Sequence, residues 1–157
     1  MKNFIELVRG CLTEVREIMP WDLEERRAAN RELLILDVRE PYEFYAMHIP
    51  GSINVPRGIL ESACEWDYEE TVPELVQGRD REIVVVCRSG YRSILATHVM
   101  QVLGFTNVVS LQTGLRGWKD YEQPLEDAHG QEVDLDEADT YFTPVLRPDQ
   151  MRPREAA

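Results

Sequence analysis

The sequence predicts a three-layer α/β domain with a mainly parallel central sheet flanked by helices. Two runs, "ELLILDV" at 32–38 and "EIVVVC" at 82–87, are almost continuously apolar, which is typical of parallel strands buried on both faces. A helical pattern follows the second run over 93–104. Strands that alternate with helices in this way favour a parallel sheet covered on both sides.

The first half of the chain alternates helical and extended patterns. Apolar residues at three- and four-residue steps predict an amphipathic helix over 2–15, and "REIMP" at 16–20 predicts a short edge strand. Residues 22–29 are helix-like. After the first apolar strand, "PYEFYAMHIPG" at 41–51 predicts a helical turn ended by Pro-Gly, and "SINVP" at 52–56 predicts a second short strand.

The second half of the chain repeats this alternation after an irregular stretch. Residues 56–78 are expected to contain only one or two helical turns. The helix at 93–104 is expected to stop at Gly104. "NVVSL" at 107–111 predicts another strand, and "TGLRGWKDYEQPL" at 113–125 predicts a short helix that ends before its proline.

Length and charge patterns divide the chain into three parts. The 157 residues suit one domain of ordinary size. We expect an N-terminal helical extension at 1–16, the main domain at 17–125, and an acidic tail at 126–157 that is partly ordered at best. The tail carries nine acidic residues against three arginines.

The composition narrows the class of protein. No apolar run approaches the ~20 residues of a membrane helix, and the charged N-terminus does not look like a signal peptide. Three scattered cysteines form neither a disulfide framework nor a zinc pattern. A net charge of -12 argues against nucleic acid and anionic membranes as partners. We therefore expect a cytoplasmic protein without membrane, metal or organic cofactor.

The stretch "VVVCRSGYRS" ends the strongest predicted strand in a cysteine just before a helix. In open α/β sheets the ligand site lies beyond the carboxyl ends of the strands. Backbone N–H groups at the helix N-terminus stabilise a negative charge there. Gly90 allows a tight turn, and Arg88 and Arg92 add positive charge. Ser93 is expected to cap the helix. These features favour a thiolate nucleophile at Cys87 over a buried core thiol.

Three motifs in this chain resemble those of the rhodanese family. C-x-x-G-x-R-S after an apolar strand is the family's active-site loop. "LLILDVREPYEFYAMHIPGSINVP" is similar to its N-terminal signature, and "GFTNVVSLQTGLRGWKDYEQPL" to its C-terminal signature. The resemblance covers about 17–125 and implies a rhodanese-like fold with the activity of a single-domain sulfurtransferase.

The resemblance also implies a mechanism of the thiosulfate sulfurtransferase type. Cys87 would attack the outer sulfur of a small donor such as thiosulfate or a persulfide, release sulfite in the thiosulfate case, and hold the sulfur as a cysteine persulfide. A thiol or cyanide would then accept it. The chain would act as a monomer or a homodimer. The loop that cradles the sulfur comprises Arg88, Ser89, Gly90, Tyr91, Arg92 and Ser93.

Three further residues are candidates for a supporting or substrate-binding role. Asp37 and Arg39 follow the first apolar strand, so they are expected at the same sheet edge as Cys87. Asp37 would hold the loop or pair with an arginine, and Arg39 is interpreted as structural. Arg57 lies after the second short strand, either binding a dianionic donor or facing solvent.

Two alternative functions stay open. Cysteine-dependent phosphatases and arsenate reductases use C-x5-R, whereas Arg92 follows Cys87 by five positions, which makes a loop one residue shorter. A smaller loop suits a single sulfur better than a tetrahedral phosphate. The other alternative is a non-catalytic rhodanese-like interaction module, but such modules commonly lack the cysteine that this chain keeps.

Overall fold

A computed structural model describes residues 1–155, and a five-stranded parallel sheet forms their centre. The strands in chain order are β1 (Glu17–Ile18), β2 (Leu34–Asp37), β3 (Ile53–Asn54), β4 (Ile83–Val86) and β5 (Val108–Leu111). Their spatial order is β1-β5-β4-β2-β3, and every neighbouring pair is parallel. Every residue of β2, β4 and β5 is buried, because helices cover both faces of the sheet. The predicted fold class is confirmed.

Helices flank this sheet and join its strands. They are α1 (Phe4–Leu12), α2 (Pro20–Ala29), α3 (Pro41–Ala46), α4 (Leu60–Ala63), α5 (Pro73–Val76), α6 (Tyr91–Val102), α7 (Gly114–Asp120) and α8 (Leu135–Phe142). Short 3-10 turns occupy Arg57–Ile59 and Pro148–Gln150. No helix within residues 1–155 combines the length and the apolar character needed to cross a bilayer.

The side chains of β4 alternate between two apolar cores. Ile83 and Val85 face one core, whose other members include Leu60, Ala96, Met100 and Phe105. Val84 and Val86 face the opposite core, whose other members include Leu23, Leu115, Trp118 and Phe142. This alternation is the two-residue period of a strand, and it explains why the run "IVVV" has no polar side.

The register of β2 against β4 brings two loops to one edge of the sheet. Asp37, the last residue of β2, lies opposite Val86, which directly precedes Cys87. Because both strands run in the same direction, their following residues emerge together. The expectation that the residues after β2 lie near the cysteine loop is therefore met by the strand pairing.

Segments at both ends of the chain pack against this domain. Helix α1 contacts α6 through a small core formed by Val8, Val15 and Ile94. Helix α8, within the acidic tail, packs on α7, and its Phe142 is only 1% exposed. The ammonium of Lys119 on α7 lies 2.6 Å from a carboxylate oxygen of Asp139 on α8.

Candidate active site

The thiol of Cys87 lies at the carboxyl end of β4, where two backbone N–H groups point at its sulfur. The residue is only 1% exposed, and its Sγ accepts hydrogen bonds from the N–H groups of Gly90 at 3.1 Å and Ser93 at 3.3 Å. Hydrogen bonds to a charged sulfur are stronger than hydrogen bonds to a neutral one. The loop therefore directs two backbone N–H groups at the position where a charged sulfur would lie.

Gly90 makes this arrangement of N–H donors around the sulfur possible. Its φ is +94°, and a Cβ there would lie 3.0 Å from the backbone nitrogen of Thr113. Gly90, rather than Ser93, is the N-cap of α6, so the expectation that Ser93 caps the helix is wrong. The helix begins two residues earlier than predicted, at Tyr91, because the left-handed glycine turns the chain directly into it.

Ser93 has a different position from the predicted one. It lies fully buried in the first turn of α6, and its hydroxyl oxygen is 3.4 Å from Cys87 Sγ and 2.8 Å from the hydroxyl of Ser110 on β5. A hydroxyl chain thus runs from the sulfur into the sheet. Ser110 was not among the sequence candidates, although a serine inside the apolar run "NVVSL" was the available signal.

The start of α7 fixes the other side of the cysteine loop. The N–H of Leu115 donates to the carbonyl of Cys87 at 2.9 Å, and the N–H of Arg116 donates to the carbonyl of Arg88 at 3.1 Å. A Cβ on Gly114 would lie 2.5 Å from the carbonyl oxygen of Cys87. This close approach explains the glycine at the first position of α7, which sequence reasoning did not connect with the site.

Arg92 is held in a bidentate ion pair with Glu43 of α3. The two N···O distances are 2.8 and 2.9 Å, and the Glu43 side chain is only 9% exposed. Burial alone would raise the pKa of Glu43, but hydrogen bonds from Arg92 and from the N–H of Glu40 hold it below its ordinary value. The hydrogen bonds with Glu43 in turn raise the pKa of Arg92. Sequence reasoning missed Glu43, because one acid in a short helix carries no sign of a partner 49 residues away.

Replacing Glu43 with glutamine is expected to destabilise the fold by about 1–3 kcal/mol, because the guanidinium of Arg92 then loses its charged acceptor. The lowered pKa means that the folded state favours the ionised carboxylate. Its contribution is therefore complete above the ordinary value of 4.5 and is lost as the pH falls through the lowered pKa. Urea unfolding of wild type and Glu43→Gln across this pH range should show the stability difference shrinking in acid.

Glu61→Gln is the matched control for this prediction. It removes the partner of Arg57 in an ion pair whose Glu61 side chain is 54% exposed, and such exposed pairs contribute at most about 1 kcal/mol. Equal losses for the two variants, or a difference that does not depend on pH, would contradict the role assigned to Glu43.

The remaining residues predicted for the site differ in their surroundings, and only some of them line the cleft at Cys87. The guanidinium of Arg88 donates to the carbonyl of Phe142 at 3.3 Å, so the end of α8 holds it. Ser89 and Tyr91 line a cleft of about 250 Å³ above the cysteine. The complete lining of this cleft is Phe4, Cys87, Arg88, Ser89, Tyr91 and Arg92. Arg57 is not part of it and pairs with Glu61 instead.

Asp37 and Arg39 form a fully buried ion pair behind the loop. Arg39 Nε lies 3.0 and 3.1 Å from the two carboxylate oxygens of Asp37, and Nη2 lies 2.8 Å from Oδ2. Nη2 also donates to the carbonyl of Met47 at 2.8 Å. The pair therefore joins the end of β2 to the end of α3, which carries Glu43.

Cys64 is remote from solvent. It is fully buried in the apolar core, and this burial raises the pKa of its thiol to about 11. A neutral, buried thiol is a poor attacking group. This environment speaks against Cys64 as a partner for the sulfur chemistry of Cys87.

A model of the rhodanese-like domain matches residues 20–121, which include β2, the cysteine loop and α7. The chain belongs to the rhodanese-like family. Within this rhodanese-like chain, α1 and α8 lie outside the matched residues. The N-terminal and C-terminal signatures described above lie largely within the match.

Two relatives show the kinds of protein in which this domain occurs. "Probable adenylyltransferase/sulfurtransferase MoeZ" of Mycobacterium tuberculosis is 33% identical over 107 residues, which cover 68% of this chain. The chain spans only 25% of that relative's length. The protein named "Sulfurtransferase" of Allochromatium vinosum is 28% identical over 111 residues, covering 71% of this chain and 94% of that protein. Such relatives support sulfurtransferase activity at the level of the family.

A solved structure from Rhodopseudomonas palustris shares the fold. It is described as a protein of unknown function, "Possible Tyrosine Phosphatase", and is 24% identical to this chain. The TM-score is 0.72, with 80% of this chain and 96% of that chain covered. At this identity the similarity shows the fold alone.

Proposed function

We propose that the protein is a cytoplasmic sulfurtransferase that moves a sulfane sulfur from a donor such as thiosulfate to a thiol through a persulfide on Cys87. The observation that carries this proposal is the pair of N–H groups, from Gly90 and Ser93, that donate to Cys87 Sγ. These two donors can stabilise a negative charge on sulfur without a metal ligand or an acid–base pair. The three cysteines are free, which suits a reducing compartment.

The first half of the reaction loads the cysteine. The thiolate of Cys87 attacks the outer sulfur of thiosulfate, a new S–S bond forms, and the old S–S bond breaks with its electron pair leaving on sulfite. The N–H groups at the start of α6 stabilise the negative charge on the thiolate before attack and on the terminal persulfide sulfur afterwards. Arg88, which lines the cleft, places a positive charge near the departing sulfite.

The second half returns the enzyme to its starting state. An acceptor thiolate attacks the outer sulfur of the persulfide and takes it as a new persulfide. The S–S bond to Cys87 breaks, and its electron pair restores the Cys87 thiolate. One difficult transfer is thus divided into two displacements at sulfur.

The phosphatase and arsenate reductase alternative is weakened by the position of Arg92. A phosphate dianion would have to share the guanidinium of Arg92 with the carboxylate of Glu43, whose negative charge opposes it. The interaction-module alternative gives no reason for a cysteine with two backbone donors at the floor of a cleft. Both observations favour sulfur transfer.

The mass of the intact protein after incubation with thiosulfate tests the proposal. We expect a gain of one sulfur atom on the peptide that contains Cys87, and its loss on addition of cyanide or a thiol. A matched sample with thiosulfate replaced by sulfate should gain nothing. An unchanged mass, or an added phosphate after incubation with an aryl phosphate, would reject sulfur transfer.

A further inference from the structure

The cleft above Cys87 has one wall that comes from outside the residues that match the family. Phe4, the first residue of α1, lines this cleft although the family match begins only at residue 20. Its ring meets the ring of Tyr91 edge to face, with 5.9 Å between the centroids and 83° between the planes. Phe4 is 51% exposed and Tyr91 is 45% exposed. The two rings therefore present apolar surface at the mouth of the site.

Helix α1 is anchored firmly enough to hold this wall in place. Its N-terminus carries a complete capping box, in which Asn3 and Glu6 exchange two side-chain-to-backbone hydrogen bonds of 2.9 Å. Val8 is 2% exposed and packs with Val15 and Ile94, the latter on α6. Because α6 also begins at the cysteine loop, α1 and the loop share one support. The position of Phe4 relative to Cys87 is thereby fixed.

The two arginines that line the cleft each contact another part of the protein. Arg92 is bound at both Nη atoms by Glu43, and Arg88 donates to the carbonyl of Phe142. With a net charge of -12, the protein as a whole also repels anions. Because Arg92 is paired with Glu43 and Arg88 is assigned to the anionic donor, apolar contact with the two rings is what the mouth offers to the organic part of an acceptor.

The size of the cleft exceeds what a single sulfur requires. Its volume of about 250 Å³ equals that of roughly eight liquid water molecules at ~30 Å³ each. A sulfur held by the N–H groups of Gly90 and Ser93 occupies only the bottom of the cleft. The remaining space, bordered by the rings of Phe4 and Tyr91, suits an organic group attached to the incoming thiol.

We propose that Phe4 and Tyr91 form an aromatic wall that selects acceptor thiols carrying an apolar organic group, a proposal that rests on the sulfur transfer proposed above. The thiolate of the acceptor attacks the outer sulfur of the Cys87 persulfide while its organic group contacts the two rings. The new S–S bond forms on the acceptor, and the broken bond leaves its electron pair on Cys87 Sγ. Phe4 is thus a specificity-determining residue supplied by the N-terminal helix.

The test compares acceptors in wild type, Phe4→Ala and Phe4→Leu, each loaded with thiosulfate. The acceptors are benzyl thiol, 2-mercaptoethanol and cyanide, and the measured quantity is the ratio of kcat/KM for benzyl thiol to kcat/KM for each of the others. Intrinsic reactivity cancels when these ratios are compared between variants. We expect Phe4→Ala to lower both ratios about tenfold, and Phe4→Leu to lower them less, because leucine keeps part of the apolar contact.

Leu7→Ala is the matched control. Leu7 lies on the same helix, is 47% exposed, and is not among the residues that line the cleft, so its removal should leave the ratios as in wild type. A short peptide whose cysteine is flanked by phenylalanines provides another arm. A larger loss in Phe4→Ala for this peptide than for benzyl thiol would indicate a peptide cysteine as the acceptor, and the reverse a small thiol.

The outcomes separate this inference from the proposed function. If wild type forms the persulfide but the ratios do not change in Phe4→Ala, or change equally in Leu7→Ala, the aromatic wall is overturned and sulfur transfer stands. If wild type forms no persulfide from thiosulfate, the proposed function itself fails. Phe4→Leu, which preserves a large side chain at the first position of α1, guards against a result caused by loss of the helix.

Discussion

Cys87→Ser is expected to lose sulfur transfer from thiosulfate by at least about a thousandfold, because a neutral hydroxyl neither attacks the outer sulfur nor carries it. The fold should survive the change. The hydroxyl of the substituted residue can still accept the N–H groups of Gly90 and Ser93, which now bind Cys87 Sγ. We therefore expect a change in the free energy of unfolding of no more than about 1 kcal/mol. Sulfite release and urea unfolding measure the two effects separately.

Cys11→Ser is the matched control for this experiment. Cys11 is half-buried on α1 and packs against the small core between α1 and α6, and it is not part of the cysteine loop. The same change of sulfur to oxygen there should leave transfer close to the wild-type rate. Transfer that persists in Cys87→Ser, or that disappears equally in both variants, would rule out Cys87 as the sulfur carrier.

Asp37→Asn is expected to cause the largest loss of stability, about 3–5 kcal/mol, because it leaves the guanidinium of Arg39 buried without its counter-charge. Both side chains are completely inaccessible to solvent, and water cannot replace the lost carboxylate. A loss of this size is a large part of the ~5–15 kcal/mol that stabilises a typical domain. Urea or thermal unfolding followed by circular dichroism provides the measurement.

The chain offers a closely matched control in its tail. Arg147 and Asp149 are also an Arg–Asp pair separated by two positions, with 3.2 Å between Nε and Oδ1, but about 70% of each side chain is exposed. Asp149→Asn should therefore change stability by no more than about 1 kcal/mol. A further variant, Asp37→Asn with Arg39→Met, removes the stranded charge and should recover part of the loss. Similar losses in Asp37→Asn and Asp149→Asn would show that burial does not decide the effect.

The sequence predicted the fold class and the position of Cys87 at the end of a strand, because both depend on local patterns. Continuous apolar runs are typical of strands buried on both faces of a covered parallel sheet, and β2, β4 and β5 are such strands. A cysteine that ends one of these strands before a glycine and a helix must lie at the carboxyl edge, where Cys87 is found. The family resemblance, carried by three separated motifs, is confirmed by the match over residues 20–121.

The helix boundary at the cysteine loop could not be predicted from these patterns. Serine is a common N-cap, and the sequence "CRSGYRS" offers one at Ser93, but the observed cap is Gly90 with φ +94°. The backbone of Thr113 and Leu111 lies 3.0 and 3.3 Å from where a Cβ of Gly90 would be. This crowding comes from the end of β5 and the residues just after it, and it favours a glycine at position 90, where the chain turns into the helix.

The sequence by itself thus determined the parallel α/β fold class, and it placed Cys87 at the end of a strand beside a glycine-containing loop. Only the tertiary structure decided which side chains stand beside that loop. Glu43 reaches Arg92 across 49 residues, and Phe142 reaches Arg88 across 54. Phe4 reaches the cleft because α1 packs on α6. Local periodicity reports which face of an element is buried, whereas these partners depend on how the elements pack together.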